Sequence, residues 1–244
     1  ALLECLEDRR GEPRNKPPFP GTHGLYNRPT LISNVETFAA AVTILARGPD
    51  WWRGAGTNGC TGLKFLSVSG HVQAPGVFQV PMGTPVRDLI ALAGGMKGGR
   101  SLKAFTPGGA SSPFLPADKV DTPIDFTTLA EAGSMLGTGG VVAVAEGTDM
   151  LALALNGVRF FRNESCGKCV PCRIGSAKAV TMLETMLEQG GDPSQIALLE
   201  SLAHTMAQTS ICGLGQVALH PILSVIKHFP EDVARYVPQG KGSV

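Results

Sequence analysis

The sequence predicts an α+β chain in which a small sheet module is followed by a bundle of helices. Strand-like apolar runs, separated by Gly and Pro turns, lie within residues 54–147. From residue 148 onward apolar residues recur at three-to-four spacing, which is the period of helices, and the links between segments are short. A chain of 244 residues is long enough for both parts and for residues 1–53, which precede them.

The first part, residues 1–53, opens with a helix end over residues 1–8. The proline-rich stretch NKPPFPG follows, and it cannot be helical because its prolines lack N–H donors. An apolar helical pattern then runs through NVETFAAAVTILARG, with Asn34 as its N-cap. This part is too short to enclose a core, so we expect it to complete a larger domain.

The second part, residues 54–147, is expected to be a small sheet built around one helix. LKFLSVSG, HVQAPG and GVFQV are predicted strands that form a hairpin. The helix in MGTPVRDLIALAGG is predicted to have Thr84 as its N-cap, Pro85 as its first residue and Gly94 as its stop. KAFTPGGASSPFLP and GVVAVAE supply two further strands.

The third part, residues 148–244, is expected to be a helical bundle. Four helical segments are predicted, and the last, QVALHPILSVIKHF, is expected to be one helix. The second segment is predicted to bury one apolar stripe along its length. That stripe consists of Ile174, Ala177, Val180, Leu183 and Leu187.

Three cysteines stand close together in ESCGKCVPCRIG, namely Cys166, Cys169 and Cys172, and Cys212 opens CGLG between two predicted helices. A C-x2-C-x2-C run with one remote cysteine suits a [4Fe-4S] cluster, whereas structural zinc uses two separated C-x2-C pairs. Zinc and a chance group of buried thiols remain the alternatives. A disulfide framework is a poor explanation of this spacing, which favours a reducing, cytoplasmic location.

The charge and hydropathy of the chain exclude two classes of partner. Its formal charge is +1, from 21 basic and 20 acidic residues, so no strong field favours a nucleic acid. No apolar run approaches the roughly 20 residues that span a bilayer, so we expect no direct membrane insertion. Partners must therefore be inferred from individual sites.

Taken together, these motifs resemble the NADH-binding flavoprotein subunit of respiratory complex I. They also resemble the diaphorase (beta) subunits of NAD-dependent molybdenum or tungsten formate dehydrogenases and of NAD-linked hydrogenases. The resemblance is carried by ESCGKCVPCRIG with SICGLG, by GEPRNKPPFPG and NRPTLISNVET, and by FLSVSGHVQAPGVFQVPMGTPVRDLI. It implies that residues 1–53 end a flavin-binding α/β domain, that 54–147 form a ubiquitin-like β-grasp (SLBB) domain, and that 148–244 carry the cluster.

The resemblance also implies residue roles. The ligands of one [4Fe-4S] cluster would be Cys166, Cys169, Cys172 and Cys212. Asn34 and Thr37 are expected to contact the ribityl-phosphate region of FMN, with Ser33 beside them where many relatives carry a second Asn. Phe19 is expected to lie against the adenine of NADH, since its flat ring suits stacking.

The implied function is electron transfer between NAD(H) with FMN and further iron-sulfur subunits. CVPCRIG and RFFRNES look nearer to the formate dehydrogenase and hydrogenase relatives than to complex I. We therefore expect an NAD-dependent formate dehydrogenase, with complex I and a non-redox, zinc-stapled assembly module as alternatives. The expected partners are the N-terminal part of the same subunit, a thioredoxin-like [2Fe-2S] subunit, and a larger iron-sulfur or molybdenum/tungsten catalytic subunit. The family's Gly-rich nucleotide loop lies upstream of residue 1, so we expect a C-terminal half that is not catalytic alone.

Overall fold

The computed structural model describes residues 1–237, so positions 238–244 of the predicted third part lie outside the described residues. The N-terminal segment contains three helices: α1 (Leu2–Leu6), α2 (Val35–Arg47) and α3 (Pro49–Gly54). The proline-rich strap, residues 15–21, contains no helix or strand, as its prolines predict. Asn34 is the N-cap of α2, because its Oδ1 accepts a hydrogen bond from the Glu36 N–H at 2.8 Å.

Polar side-chain contacts hold the N-terminal segment in place. Apolar packing contributes little at its longest helix, since α2 buries none of its residues. The Arg14 guanidinium pairs with the carboxylates of Glu4 and Glu7 and donates to the Gly24 carbonyl at 3.2 Å. The other oxygen of Glu7 accepts from the Tyr26 N–H at 2.8 Å. These contacts fix the loops on both sides of the strap without a hydrophobic core of their own.

A mixed five-stranded sheet follows: β1 (Leu63–Gly70), β2 (Gly76–Pro81), β3 (Leu102–Thr106), β4 (Leu115–Pro116) and β5 (Gly140–Ala145). The spatial order is β2-β1-β5-β3-β4, in which β1 and β5 are parallel and the other neighbours are antiparallel. The β1–β2 hairpin is confirmed. The predicted strand HVQAPG is wrong for residues 71–75, which form the connection between those two strands.

Two helices pack on this sheet, α4 (Val86–Leu92) and α5 (Phe126–Glu131), where the sequence predicted one. The predicted N-cap of α4 is also wrong. The Thr84 hydroxyl donates to the Pro81 carbonyl at 2.7 Å, and Pro85 occupies the N-cap position without a side-chain bond. The turn after β2 therefore uses the hydroxyl that the sequence pattern assigned to the helix. The sheet and its helices enclose a core that includes Leu66, Val68, Leu89, Phe105 and Leu129.

The bundle consists of α6 (Met150–Asn163), α7 (Val170–Gln189), α8 (Pro193–Thr209), α9 (Gly213–Val217), α10 (His220–His228) and α11 (Pro230–Ala234). Its links are short, as predicted for adjacent helices. The prediction of one final helix is wrong, because α9 ends at Val217 and a new helix begins at His220. Pro221 lies in the first turn of α10, a position where its missing N–H leaves no helical bond unmade.

The buried face of α7 differs from the predicted stripe. Val180 and Leu183 are buried, but Ile174 is 55% exposed. The face that packs inward consists of Cys172, Gly175, Ser176, Ala179, Val180, Met182, Leu183 and Met186. Small residues set this orientation, because a Cβ at Gly175 would lie 2.6 Å from the Met206 sulfur of α8. Gly175 thus permits α8 to approach this side of α7 closely.

The sheet and the bundle share part of one core. Ala104, Phe114 and Val144 belong to the buried cluster of the bundle helices. Lys103 of β3 also forms a buried ion pair with Asp232 of α11, with the Nζ to Oδ2 distance at 2.6 Å. The boundaries at residues 53 and 147 stay predictions. None of the helices within residues 1–237 combines the length and hydropathy that a bilayer crossing requires.

Candidate metal centre

Three of the four predicted ligands lie at the start of α7. Cys169 is the N-cap, Cys172 is buried in the first turn, and Cys166 lies in the loop before it. Gly167 lies within this loop with φ at +76°, a backbone conformation that glycine adopts without strain. The Pro171 ring suits the first helical turn, where its missing N–H has no partner to lose. The local sequence therefore fixes how the thiols approach the helix.

The fourth predicted ligand, Cys212, is the N-cap of the short helix α9, which follows α8 after a tight turn. Gly215 permits α9 to pack against α7. A Cβ at Gly215 would lie 2.9 Å from the Cys172 Cβ and 2.5 Å from the Ser210 hydroxyl oxygen. Because Gly215 has no side chain, the turn that carries Cys212 can pack against the first turn of α7.

The structure brings the four thiols near one another. Burial raises the pKa of the Cys172 thiol, and the neighbouring thiols of Cys169, Cys212 and Cys166 raise it further, against a hydrogen bond from Ser165 that lowers it. None of the six cysteines is in a disulfide. Within residues 1–237, however, no three His, Cys, Asp or Glu side chains have the arrangement that one metal ion needs. The thiols are neighbours without forming a single-ion site.

Basic side chains connect the cysteine loop to the N-terminal segment. Arg10 donates to the Cys166 carbonyl at 2.6 Å, and Lys168 donates to the Pro13 carbonyl at 2.9 Å. The Lys168 ammonium also lies 3.4 Å from the Glu12 carboxylate. The loop that carries the thiols and the segment that leads into the strap each donate a side-chain hydrogen bond to the other. Glu12 pairs with both cations, which leaves a net positive charge at this loop.

Sequence reasoning missed Ser165, which contacts a thiol directly. Its Oγ lies 3.2 Å from the Cys172 sulfur and accepts from the Gly167 N–H at 3.3 Å. A second hydroxyl, that of Ser176, donates to the Cys172 carbonyl at 2.6 Å. A serine immediately before the first cysteine of the run was the available signal.

The residues assigned to FMN and NADH lie in the N-terminal segment. Ser33, Asn34 and Thr37 are exposed at the start of α2, and Phe19 is 59% exposed in the strap. A cleft of about 680 Å³ is lined by Phe19 and Leu31 among others. Ser33, Asn34 and Thr37 do not line it, so the structure brings Phe19 to this cleft and leaves the other three exposed at the start of α2.

Glu36 anchors this surface to the sheet, another role that sequence reasoning missed. It forms an ion pair with Lys64 and accepts from the Phe65 N–H at 2.9 Å. Because β5 pairs with β1 only from Ser67 onward, the carboxylate bonds the strand where β5 is absent. Burial raises the pKa of Glu36, but the bonds from Lys64 and Phe65 outweigh it and hold that pKa below its usual value.

A second cleft, of about 690 Å³, lies between the strap and the Cys212 turn. Its walls include Lys16 and Pro18 from the strap, and Ile211, Cys212 and Gly213 from the turn. The proposed nucleotide segment and one proposed ligand therefore face the same space. This arrangement allows a redox group in the cleft to lie close to the cysteines.

Comparison with known proteins identifies this region. Residues 152–236 match the family model for the NADH-ubiquinone oxidoreductase-F iron-sulfur binding region, and residues 65–115 match the SLBB domain. The NADH-quinone oxidoreductase F-subunit from Mycobacterium tuberculosis (strain ATCC 25618 / H37Rv) is 40% identical over 240 residues, covering 98% of this chain. The F-subunit from Streptomyces coelicolor is 40% identical over 242 residues, covering 99%.

The chain belongs to the NADH-quinone oxidoreductase F-subunit family and matches its C-terminal part. It spans about half the length of these relatives, 54% in each case. A similar fold occurs in the crystal structure of NAD+-reducing [NiFe]-hydrogenase in the H2-reduced state, with a TM-score of 0.87 and 32% identity. That match covers 98% of this chain and 41% of that chain.

These findings confirm several expectations from the sequence. The resemblance to this flavoprotein family, the α+β class, the SLBB domain and the [4Fe-4S] cofactor are confirmed. Membership of the family does not by itself assign the individual ligands. The roles of the four cysteines and of Phe19, Ser33, Asn34 and Thr37 stay predictions.

Proposed function

We propose that this chain holds one [4Fe-4S] cluster that carries electrons between a flavin and further iron-sulfur subunits of an NAD(H)-linked oxidoreductase. One observation carries the proposal: four free thiols converge inside the segment that matches an iron-sulfur binding region. A cluster bound there supplies a one-electron carrier. The protein residues position it and set its electrostatic surroundings.

The proposed ligands fit an anionic cluster. They are Cys166, Cys169, Cys172 and Cys212. The N-terminus of the 20-residue helix α7 lies at Cys169, and its free N–H groups favour negative charge. Arg10 and Lys168 both pair with the Glu12 carboxylate, so this group of three leaves a net positive charge beside the same loop. A reduced cluster carries one more electron than an oxidised one, so positive charge around it favours the reduced state.

The sequence spacing of the cysteines favours a cluster over zinc. Structural zinc usually uses two separated C-x2-C pairs. Here three cysteines follow a C-x2-C-x2-C pattern and the fourth is remote, which is a pattern of four-iron clusters.

We assign FMN and NAD(H) binding to the complete subunit, with Ser33, Asn34, Thr37 and Phe19 contributed by this chain. The N-terminus of the 13-residue helix α2 has free N–H groups that suit a phosphate, and the Asn34 side chain satisfies one of them. The exposed Phe19 ring offers a flat apolar face for an adenine. These residues would bind and orient the cofactors; the chain alone would not catalyse.

The exposed apolar face of α2 favours the N-terminal part of the same subunit as its binding partner. Val35, Phe38, Val42 and Leu45 lie on one side of this helix, exposed by 81%, 48%, 68% and 87%. An apolar helix face of this length is normally covered. The relatives are nearly twice as long as this chain, which supplies a segment of the required kind.

The remaining partners follow from the family resemblance. They are a thioredoxin-like [2Fe-2S] subunit and a larger iron-sulfur or molybdenum/tungsten catalytic subunit, in a cytoplasmic complex. Assignment to an NAD-dependent formate dehydrogenase rests on CVPCRIG and RFFRNES alone. The relatives described above are named for NADH-quinone oxidoreductase and NAD+-reducing hydrogenase.

Activity assays of the complex purified from its source would identify the parent enzyme. Formate-dependent reduction of NAD+ would support the formate dehydrogenase assignment. Hydrogen-dependent reduction, or NADH oxidation coupled to a quinone with no response to formate, would overturn it. The electron-transfer role of this chain stands in all three cases.

The ligand assignment is tested by substituting Cys212→Ala in the complete subunit, with Cys60→Ala as the control. Cys60 is a half-buried, disulfide-free cysteine of the sheet module. We expect Cys212→Ala to lose the four-cysteine cluster and most of the bound iron and sulfide, and Cys60→Ala to retain both. A full cluster with unchanged spectra in Cys212→Ala would refute the assignment, and one zinc per chain would support the assembly module.

A further inference from the structure

Two serine hydroxyls lie beside the cysteines without a role in the function proposed above. Ser165 precedes the first cysteine, and its Oγ is 3.2 Å from the Cys172 sulfur. The Gly167 N–H donates to the same Oγ at 3.3 Å. Either atom can donate in the contact between this Oγ and the sulfur of a protonated thiol. A thiolate ligand has no proton, so with a cluster bound only the serine hydroxyl can donate.

Ser210 presents a second hydroxyl from a different segment. The residue is 6% exposed, and its Oγ has no hydrogen-bond partner within residues 1–237. It lies beside the same first turn of α7, since a Cβ at Gly215 would come within 2.5 Å of this Oγ and 2.9 Å of the Cys172 Cβ. A buried hydroxyl without a partner is rare, and a sulfur atom at this place would satisfy it.

We infer that Ser165 and Ser210 donate hydrogen bonds to sulfur atoms of the bound cluster or its thiolates and raise its reduction potential. This inference rests on the proposed function, since it requires a cluster at these cysteines. A hydrogen bond to sulfur stabilises the more negative, reduced state more than the oxidised state. Ser165 already contacts the sulfur of the proposed ligand Cys172 before a cluster is bound. The Ser210 hydroxyl gains a hydrogen-bond partner only when the cluster binds.

The test is a redox titration followed by low-temperature EPR on the complete subunit in its assembled complex. We expect Ser165→Ala and Ser210→Ala each to shift the midpoint potential to more negative values. At the wild-type midpoint, the ratio of reduced to oxidised cluster would fall about threefold or more. Ser165→Thr retains a hydroxyl and should stay close to wild type, as should Ser201→Ala, which alters an exposed serine of α8.

Unchanged potentials in both alanine variants, with clusters fully retained, would overturn the inference and leave the proposed function intact. Absence of a cluster from the wild-type subunit would instead overturn the proposed function. If Ser165→Ala lost its cluster, a second measurement would test the inference. It compares the iron-sulfur stretching frequencies of wild type and Ser210→Ala in H2O and in D2O. Bands in wild type that do not respond to deuterium would overturn the inference, and a response diminished in Ser210→Ala would support it.

Discussion

Helices α2 and α7 show two different ways of holding a functional residue in place. The 20-residue α7 buries eight of its residues and carries the first three proposed cluster ligands at its start. The 13-residue α2 buries none and carries the proposed flavin residues at its start. The bundle is held by a buried core that it shares in part with the sheet, whereas the N-terminal segment is held by polar anchors such as Glu36 and Arg14.

This difference indicates which half of the proposed site is complete within the chain. The cysteines stand on packed helices and need only the cluster. The proposed flavin residues Ser33, Asn34 and Thr37 stand at the start of a helix whose apolar side is exposed among the described residues, so we expect a further segment to cover it. Substitutions in the two regions should accordingly have very different effects on the stability of this chain.

The largest expected contrast is between two leucine truncations. Leu183→Ala removes a side chain of α7 that is 0% exposed and should lower the free energy of unfolding by about 2–5 kcal/mol. Leu45→Ala, at a residue of α2 that is 87% exposed, should change it by less than about 0.5 kcal/mol. Urea unfolding followed by far-UV circular dichroism measures both. Equal effects would show that α2 is packed in solution.

The ion pair between the sheet and the bundle comes next. Lys103→Met leaves the Asp232 carboxylate buried, and we expect a loss of about 3 kcal/mol. This is at the lower end for a broken buried pair because Arg235 stays 3.1 Å from the other oxygen. Arg87→Met breaks a pair whose side chains are 63% and 68% exposed and should cost less than about 1 kcal/mol. A similar cost for both would contradict the coupling of sheet and bundle.

Removing the N-cap side chains of α6 and α2 should have different effects on the stability of the bundle, by a smaller but measurable amount. Asp149 Oδ1 accepts from the Leu151 and Ala152 N–H groups at the start of α6, so Asp149→Ala should destabilise the bundle by about 1–2 kcal/mol. Asn34→Ala at the start of α2 should leave the bundle transition unchanged. Thermal unfolding at 222 nm separates the two, and a bundle transition that moves in Asn34→Ala would be evidence against independent support.

The smallest effect concerns pH and the Glu36 anchor. Because the pKa of Glu36 is held below its usual value, its carboxylate stabilises the docking of α2 at neutral pH. That contribution is lost as the pH falls through the lowered pKa. The only tryptophans, Trp51 and Trp52, lie in α3, so their fluorescence reports on this segment.

Glu36→Gln provides the comparison for this pH effect. Its tryptophan emission should already differ from wild type at pH 7, and the difference should shrink on acidification. The Phe65 N–H keeps an acceptor in this variant, so the ion pair to Lys64 is the interaction removed. A difference that grows as the pH falls would contradict the role of the ionised carboxylate.

Long periodic segments and cysteine spacing were predictable from the sequence, because each depends on local pattern. Strand β1 occupies LKFLSVSG, and Asn34 caps α2 as expected. The six-residue helix α5 was missed because it is too short to show a period, although Asp125 caps it through the Thr127 N–H at 2.7 Å. The role of Thr84 was wrong because its hydroxyl had an acceptor in the preceding turn.

The tertiary contacts around the cysteines were less accessible to sequence reasoning. Ile174 fits an apolar period, yet it is 55% exposed, while its neighbour Gly175 is buried where Met206 of α8 approaches closely. The bond from Ser165 to Cys172 likewise depends on a loop conformation with Gly167 at positive φ. Contacts that depend on the packing of two elements have no signature in the spacing of either one.

Whether the cysteines hold an iron-sulfur cluster is best decided by low-temperature EPR of the protein purified without oxygen and reduced with dithionite, with iron and zinc measured on the same sample. We expect a rhombic signal from one reduced [4Fe-4S] cluster and about four irons per chain. No signal in either redox state, with about one zinc per chain instead, would contradict this expectation and make the cysteines a structural metal site.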